Sequence, residues 1–467
     1  SPQLDRALHY LILAGQKAAQ GYINEQAQEH FNLALDLLPR VAHTTTQMVQ
    51  INMGLGDLAL LAGEYQPARQ YYQSALEELD QNPYPMSGRD KSILLRKIAS
   101  TLERQGEYDS AFTTLESASK YLENTDNPPL FEKAQILNDI GWIQFRKGDL
   151  DAAGDFLFKA LSLIENQEQF ELTASVYNRL AGVYFQKDQL DQAGTYLRKS
   201  LVLRQEIGDI GGVARSFNNL GLMGWKRGDW NSALENFKRS VNLHATLGDV
   251  EGMIEVHINL GLLLLDRGDL DDARRHLSQA LSRARQIGHT YYVGLISLDF
   301  ARLFLASEDW QAALEYSQRS LETFREIGAQ DHLVDVYTYI GLANLGMNNL
   351  EEARRWGEDA LGLFRHVSTG RLPGQAEDHG RAMRLLGEVM RRIGNFPYAE
   401  TLLSQSSATF QTVGNQLEQG RSMVALARLA KDKGNPASAR LMVHEAQLIF
   451  EQLGAKNDLK KLESLSF

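Results

Sequence analysis

Apolar residues recur along the chain at spacings of three and four, which is the spacing of one face of an α-helix. Leu234, Phe237 and Val241 show this spacing within one segment. Such segments come in pairs, and the clearest pair is written twice in succession between Val213 and His289, with a period of 40 residues. A repeat of this length predicts an array of helical hairpins in which each unit packs on its neighbours.

Small residues mark where the two helices of each hairpin should meet. An alanine recurs at steps of 40 to 46 residues, and another small residue stands twelve positions before each one. Two small side chains let helices approach closely, so each pair predicts the contact of an antiparallel hairpin. The alanines are Ala27, Ala68, Ala111, Ala153, Ala193, Ala233, Ala273, Ala313, Ala353, Ala399 and Ala439.

These units fill the chain, so we expect a single domain at 1–467. The repeats are expected near 8–40, 49–82, 92–124, 134–167, 174–209, 214–249, 254–289, 294–329, 334–366, 380–415 and 420–467, the last with a C-terminal capping helix. Irregular stretches at 80–90, 124–129 and 366–380 are expected to be surface loops, or alternatively hinges or partner contacts.

The turn within each hairpin has its own signature, a glycine followed by an aspartate. The glycine suits the left-handed end of the first helix, and the aspartate suits the N-cap of the second. We therefore expect side-chain caps from Asp149, Asp229 and Asp269.

Together these positions resemble the tetratricopeptide repeat. Unit six shows the pattern with Leu220, Gly221, Gly228, Ala233, Phe237 and Ser240. The resemblance implies an all-α fold, a right-handed α-solenoid (superhelix) of about eleven hairpins, with first helices lining an inner groove and second helices facing outward. The period of about 40 residues exceeds the 34 usual for this repeat.

A narrower resemblance lies at the beginning of the chain. Residues 4–39 are similar to the first repeat after the ATPase and winged-helix part of bacterial signal-transduction (STAND-type) NTPases and their regulator relatives. This resemblance implies a ligand-sensing or partner-binding arm, with an N-terminal NTPase domain in the same full-length chain. The first residue is Ser1 rather than Met, and we expect the sequence to be part of a longer one. The alternative is a constitutive scaffold that organises a multiprotein complex.

The composition of the chain excludes several kinds of site and partner. The 467 residues contain no cysteine, which excludes disulfides, thiolate metal sites and cysteine nucleophiles. A net charge of −11 argues against nucleic acid as a direct partner. No apolar run is long enough for a membrane helix and no secretion signal is visible, so we expect a cytoplasmic protein with no membrane contact.

Catalytic signatures are also missing. The sequence has no phosphate loop ending in Gly-Lys-Ser/Thr, no His-Glu-x-x-His and no Gly-x-Ser-x-Gly, and its eleven histidines show no close pair at helical spacing. We predict a non-enzymatic protein without cofactor or metal. An acid–base enzyme using carboxylates of the groove is the weaker alternative, since no motif fixes a pair of acidic residues.

Asparagines repeat in strict register on three first helices, at Asn138, Asn178 and Asn218, and one place later at Asn219 and Asn259. Because equivalent positions project from successive units toward the same surface, they form a ladder. Asparagine both donates and accepts, so a ladder could bind the main chain of an extended peptide. The alternative is a solvated polar surface. For Asn178 and Asn218, we expect double replacement by alanine to weaken partner binding with little change in melting temperature.

An aromatic stripe runs along the same helices at Phe145, Phe185 and Trp225. Such stripes more often pack between hairpins than serve as ligand platforms. Trp142 and Trp225 are nevertheless the best aromatic anchors for a ligand. The predicted groove contacts, for a protein or peptide partner, are Asn138, Trp142, Asn178, Arg215, Asn218, Asn219, Trp225 and Asn259.

Basic residues occupy related positions toward the two ends of the array. They are Arg96, Lys97, Arg381, Arg384, Arg421 and Arg428. In an acidic chain they could form local receptors for carboxylates or phosphates. They could equally be solvated charges.

Overall fold

The computed structural model describes residues 2–21, 23–41, 43–62, 64–84, 87–123, 129–165, 167–329, 332–365 and 375–463. Within these ranges the chain forms twenty-three α-helices, a 3-10 turn at Leu38–Arg40 and no strand. All helices but the last pair into hairpins, and each hairpin packs on the next. The predicted all-α solenoid is confirmed.

Units one to eleven have the following bounds. They are α1 (Pro2–Gln20) with α2 (Asn24–Leu37), α3 (Thr45–Leu61) with α4 (Tyr65–Gln81), α5 (Ser87–Arg104) with α6 (Tyr108–Glu123), α7 (Leu130–Lys147) with α8 (Leu150–Ile164), α9 (Phe170–Gln186) with α10 (Leu190–Glu206), α11 (Ile210–Lys226) with α12 (Trp230–Leu247), α13 (Val250–Arg267) with α14 (Leu270–Gln286), α15 (Thr290–Ala306) with α16 (Trp310–Glu326), α17 (Leu333–Gly346) with α18 (Leu350–Arg365), α19 (Gln375–Ile393) with α20 (Phe396–Thr412), and α21 (Gln416–Asp432) with α22 (Pro436–Leu453). Helix α23 (Lys456–Glu463) follows.

The loops are shorter than the sequence suggested. Helix α4 runs to Gln81 and α5 begins at Ser87, so most of 80–90 is helical. Residues 375–380, expected in the third loop, belong to α19. The remainder of that loop, 366–374, and positions 124–128 of the second lie outside the described residues.

Close helix approach within a hairpin depends on the predicted small residues. A Cβ placed on Gly221 would lie 2.5 Å from Phe237 Cε1, so only glycine fits between that helix and the ring. Seven residues after the alanine, at the position of Ser240 in unit six, four units carry a buried serine whose hydroxyl donates to a carbonyl of the first helix at 2.7–2.9 Å. The pairs are Ser200 with Ala174, Ser240 with Ala214, Ser320 with Gly294 and Ser406 with Gly380. This position therefore fixes the two helices as well as allowing them to approach.

The predicted caps form at two of the three aspartates. Asp149 Oδ1 accepts from Ala152 N at 3.0 Å, and Asp229 Oδ1 accepts from Ser232 N at 3.1 Å. Asp269 stands at the N-cap of α14, but its side chain makes no capping hydrogen bond. That prediction is wrong, because the Asp269 carboxylate takes part in a long-range contact described below.

First helices form the inner face of the array. The first helices of neighbouring units contact one another directly, for example α5 with α7, α7 with α9 and α19 with α21. Within the described ranges, the second helices of neighbouring units make no comparable contacts. The first helices therefore lie on the tightly curved side, as the resemblance implies. We call their exposed surface the inner face.

The array curves until units far apart in sequence meet. At one place, Thr290 N of unit eight donates to the Ala62 carbonyl of unit two at 3.3 Å. At another, which we call the closing contact, helices α21 to α23 pack against the hairpin turns of units six to eight. Lys456 Nζ donates to Asp269 Oδ1 at 2.7 Å there, and Asn457 Nδ2 donates to the Ala306 carbonyl at 3.2 Å. Successive turns of the solenoid are therefore in contact.

The closing contact has a hydrophobic core. One cluster of buried side chains joins Trp230, Phe237 and Leu263 of units six and seven with Phe450 of unit eleven and Leu462 of α23. By contrast, the cores of units two to four and of units seven and eight form separate clusters. Helix α23 thus covers the end of the array, as expected of a cap, and also attaches that end to its middle.

Candidate binding site on the inner face

The predicted asparagine ladder is a set of bonds between neighbouring units. Asn219 Nδ2 donates to Asn178 Oδ1 at 2.6 Å, and Asn259 Nδ2 donates to Asn218 Oδ1 at 2.9 Å. All four side chains are half-buried. Each bond uses one of the several hydrogen-bonding groups of an amide. The ladder therefore stabilises the array, and contact with a peptide stays a prediction.

Asn138 does not continue this ladder. The position that would pair with it carries Arg179, whose Nη1 donates to the Asn138 carbonyl at 2.5 Å and to Asp139 Oδ1 at 3.1 Å. Asn138 is 4% exposed, and its Oδ1 accepts no hydrogen bond from the described residues. A ligand could reach this amide only if neighbouring side chains moved.

A cavity of about 410 Å³ opens on the inner face of units two to five, and we call it cavity A. Trp142 forms part of its wall and stacks on Phe145, with ring centroids 5.1 Å apart. The Arg179 guanidinium lies 5.6 Å from the Trp142 ring, within cation–π range. Cavity A therefore combines an accessible aromatic surface with charged groups.

The two basic residues predicted in unit three also line cavity A, but both are paired. Arg96 donates to Asp139 Oδ2 at 2.8 Å and to Gln135 Oε1 at 2.6 Å. Lys97 Nζ donates to Asp57 Oδ1 at 2.6 Å. They bridge neighbouring hairpins, so a carboxylate ligand would have to compete with these partners.

Trp225 and Arg215 lie in different surroundings. Trp225 is half-buried and packs against the hydrophobic cluster of the closing contact. This position agrees with the packing interpretation of the aromatic stripe. Arg215 is exposed on α11.

Of the predicted basic residues at the C-terminal end, three are tightly paired. Arg381 bonds Asp335 at 3.1 and 3.2 Å, Arg384 pairs with Glu418, and Arg421 bonds both oxygens of Asp458 at 2.9 Å. Arg428 is 39% exposed and lies 3.5 Å from Glu388 Oε1. The interpretation as solvated charges therefore does not hold for the first three, because carboxylates of adjacent units neutralise them.

Glu418 is central to this charged group. Burial acts to raise its pKa, but the guanidiniums of Arg384 and Arg421 outweigh burial and hold the pKa well below its ordinary value. Glu418 is thus a fixed negative charge on the inner face. Arg421 Nη1 also lies 3.9 Å from Asp266 Oδ1 of unit seven, so the group extends into the closing contact.

Other polar residues of the inner face were not predicted. Asp299 is 7% exposed, and its Oδ2 has no hydrogen-bond partner among the described residues. Burial raises its pKa to about 7. Nothing in the local sequence marks Asp299, because its burial depends on the packing of neighbouring units.

Two histidines that are unremarkable in sequence meet within unit seven. The Nδ1 atoms of His257 and His276 lie 3.0 Å apart across the hairpin. Burial, with His276 and Arg283 acting in the same direction, lowers the pKa of His257 to about 4. A search for histidine pairs at helical spacing could not find this pair, because the two histidines lie on different helices.

Neither a metal site nor a membrane-spanning helix is found in the described ranges. They contain no group of three or more His, Asp or Glu side chains placed to hold a metal ion. In the same ranges, no helix has both the length and the apolar character needed to cross a bilayer.

Comparison with known families identifies the repeat. Family models described as Tetratricopeptide repeat match residues 24–83, 172–246, 252–326 and 292–366. Together they cover more than half of the chain. No curated protein sequence matches the chain.

Several solved structures align with this chain at low identity. A Rap protein complexed with Competence and Sporulation Factor superposes with a TM-score of 0.52 at 14% identity, covering 77% of this chain and 98% of that one. The apo quorum sensor NprR from B. thuringiensis gives 0.49 at 12% identity, covering 77% and 97%. A Signal Transduction ATPase with Numerous Domains, with a tetratricopeptide repeat sensor, from Pyrococcus horikoshii gives 0.48 at 16% identity, covering 75% and 54%.

Proposed function

The chain belongs to the tetratricopeptide repeat family, and we propose that it is the ligand-sensing arm of a larger signalling NTPase or regulator. The chain is a repeat module of the protein- or peptide-binding type. In our proposal it has no catalytic activity of its own and works in the cytoplasm. Its ligand is a peptide or a protein segment bound on the inner face.

Cavity A carries the proposal. Trp142 offers a ring at the wall of a cavity whose other residues include Arg96, Lys97 and Arg179. Large aromatic residues and arginines dominate binding energy at protein interfaces. The fold is compatible with this role, because the Rap protein of similar architecture is complexed with Competence and Sporulation Factor.

The closing contact favours a sensor over a constitutive scaffold. A ligand on the inner face lies inside a solenoid whose successive turns touch, so binding that changes the curvature must also change the contact between turns. We infer that the array has a closed and an open arrangement of this contact, which a ligand can bias if it binds one of them more tightly. A scaffold needs no second arrangement.

Peptide binding can be tested by selecting a displayed peptide library on the immobilised chain and measuring the enriched peptides by calorimetry. Trp142→Leu should weaken binding by about tenfold, the effect of losing about 1.4 kcal/mol of contact. Phe158→Leu is the matched control, since Phe158 is 41% exposed on the second helix α8. Equal binding to wild type and Trp142→Leu, or no enrichment, would contradict the proposal.

The sensor role needs a second measurement. Hydrogen exchange of α23 and of the turn at 267–269 should increase when an enriched peptide binds, because the closing contact opens. Unchanged exchange with bound peptide would favour the scaffold alternative. The proposal also requires an NTPase domain before the array in the same chain. Sequencing the full-length gene tests this requirement.

A further inference from the structure

A second cavity lies at the other end of the inner face, and we call it cavity B. It has a volume of about 450 Å³ and is walled by the first helices of units eight to eleven, by Trp310 at the start of α16, by Phe450 of α22 and by α23. Pockets that hold small ligands or short peptide segments span about 300–1,000 Å³. Cavity B therefore has room for a few residues of a bound chain.

Its lining carries more basic than acidic side chains. The basic side chains are Arg384, Arg391, Arg392, Arg421, Arg428 and Lys461, and the carboxylates are Glu308, Glu388 and Asp458. Glu418 and Asp432, just outside the lining, pair with Arg384 and Arg391, so the remaining positive charge is small and is concentrated at the least paired arginines. Such a surface attracts an anionic ligand.

Two of these cations are least neutralised by the protein. Arg392 Nη1 donates to the Leu345 carbonyl at 3.0 Å, and no carboxylate of the described residues pairs with it. Arg428 lies 3.5 Å from Glu388, a carboxylate already bonded by Arg391 at 3.0 Å. Arg392 and Arg428 can therefore bind ligand carboxylates without first losing a strong partner.

The cavity also offers an acceptor and an apolar wall. Glu388 is 8% exposed, and its Oε1 accepts no hydrogen bond from the described residues, so a ligand N–H would satisfy it once the neighbouring Arg428 side chain turns toward the ligand. The Trp310 ring packs against the backbone of Gly346, and the buried Val424 and Leu462 continue this wall. An inorganic anion would use the arginines but neither the acceptor nor the apolar side chains.

From these features we propose that cavity B binds an acidic peptide segment that carries an apolar side chain. Ligand carboxylates pair with Arg392 and Arg428, a main-chain N–H donates to Glu388 Oε1, and the apolar side chain packs on Trp310. This inference rests on the proposed function and names the class of ligand. It places one end of that ligand beside α23, the helix that forms the closing contact.

The test uses the complete 467-residue chain and the synthetic hexapeptide Leu-Glu-Leu-Glu-Leu-Glu, with calorimetry as the readout. We expect saturable binding that weakens as salt rises. The double variant Arg392→Gln/Arg428→Gln should weaken it by about tenfold or more, because charge-assisted hydrogen bonds are lost. Trp310→Leu should weaken it as well. Arg355→Gln, an exposed position on the second helix α18, is the matched control and should change nothing.

The outcomes separate this inference from the proposed function. If the peptide with Gln in place of Glu binds equally well, or if inorganic phosphate displaces the acidic peptide at equal concentration, the acidic-peptide assignment is wrong. If the acidic peptide binds but responds to Trp142→Leu and not to the double variant, peptide binding stands and cavity B is the wrong place. If neither this peptide nor any library peptide binds, both proposals fail.

Discussion

Lys456 donates to Asp269 at 2.7 Å across 187 residues of sequence. Asp269 also accepts from Arg267 Nε at 2.5 Å. Burial acts to raise the pKa of Asp269, but the hydrogen bonds from Lys456 and Arg267 outweigh it and lower the pKa. The residue at a helix N-cap thus serves the contact between two turns of the solenoid instead of its own helix.

Asp229 and Asp269 occupy equivalent positions in neighbouring units, so they allow a matched comparison. Asp269→Asn should lower the free energy of unfolding by no more than about 1 kcal/mol, because Lys456 is largely exposed and such pairs are weak. This effect should become smaller in 1 M salt, because the screening length falls to roughly 3 Å, close to the length of the ion pair. Asp229→Ala removes a true cap and should cost about 0.5–2 kcal/mol.

Chemical denaturation at two salt concentrations measures both effects, and hydrogen exchange shows where each acts. Faster exchange in α23 should accompany the Asp269 variant and not the Asp229 variant. Equal salt dependence of the two variants would contradict the different roles given to these aspartates.

Two glycines should respond oppositely to alanine. Gly221→Ala places a Cβ 2.5 Å from Phe237 Cε1 and should destabilise by about 1–3 kcal/mol through overpacking. Gly154 lies within α8 with nothing within 4 Å of an added Cβ. Gly154→Ala should stabilise by roughly 0.5–1 kcal/mol, because alanine loses less backbone entropy in a helix. Thermal unfolding of both variants checks the signs, and a gain of stability for Gly221→Ala would contradict the packing.

The asparagine pairs make the earlier expectation for Asn178 and Asn218 incorrect in one respect. Both accept a hydrogen bond from the next unit, so their replacement by alanine should lower the melting temperature as well as affect a ligand. A double-mutant cycle of Asn178→Ala and Asn219→Ala should show a coupling of about 0.5–1.5 kcal/mol. Additive effects would mean that this bond contributes nothing to stability.

Asp299 should make stability depend on pH. Its folded pKa of about 7 exceeds the ordinary 3.8, with burial as the main cause, Arg302 lowering it and Asp335 raising it. The folded state therefore keeps a proton that the unfolded state releases, and this residue destabilises the fold increasingly as pH rises from about 4 to 7. Asp299→Asn removes the ionisation.

The melting temperature of Asp299→Asn, relative to wild type, should rise over the same pH interval and level off above it. At pH 4 the variant should be no more stable than wild type. A difference that is independent of pH would show that Asp299 does not titrate in this way.

Local patterns in the sequence revealed the hairpins, because the 40-residue period repeats the small residues that each hairpin contact requires. Glycines such as Gly221 could be placed from spacing alone. The closing contact could not be predicted, since it results from small rotations accumulated over many units, and its residues are ordinary in sequence. Asp269 illustrates the difference, because its cap signature equals that of Asp229 and only the distant Lys456 changes its role.

The candidate site was predictable to a similar extent. The register of the repeat placed Trp142, Arg96 and Arg428 on the inner face, where they line cavities A and B. It did not indicate which basic residues have partners, because Asp139 and Glu418 reach them from neighbouring units. Side-chain pairing between units depends on exact helix positions that a periodic pattern does not contain.

The closing contact also affects how the chain folds. In an open solenoid each unit contacts only its neighbours, so stability is nearly a sum of local terms and the ends can unfold independently. Here Phe450 and Leu462 share a core with Trp230 and Phe237, so melting of the last unit exposes apolar surface in the middle of the array. The second half of the chain should therefore unfold as one cooperative block, and contacts of such large sequence separation should make its folding slow.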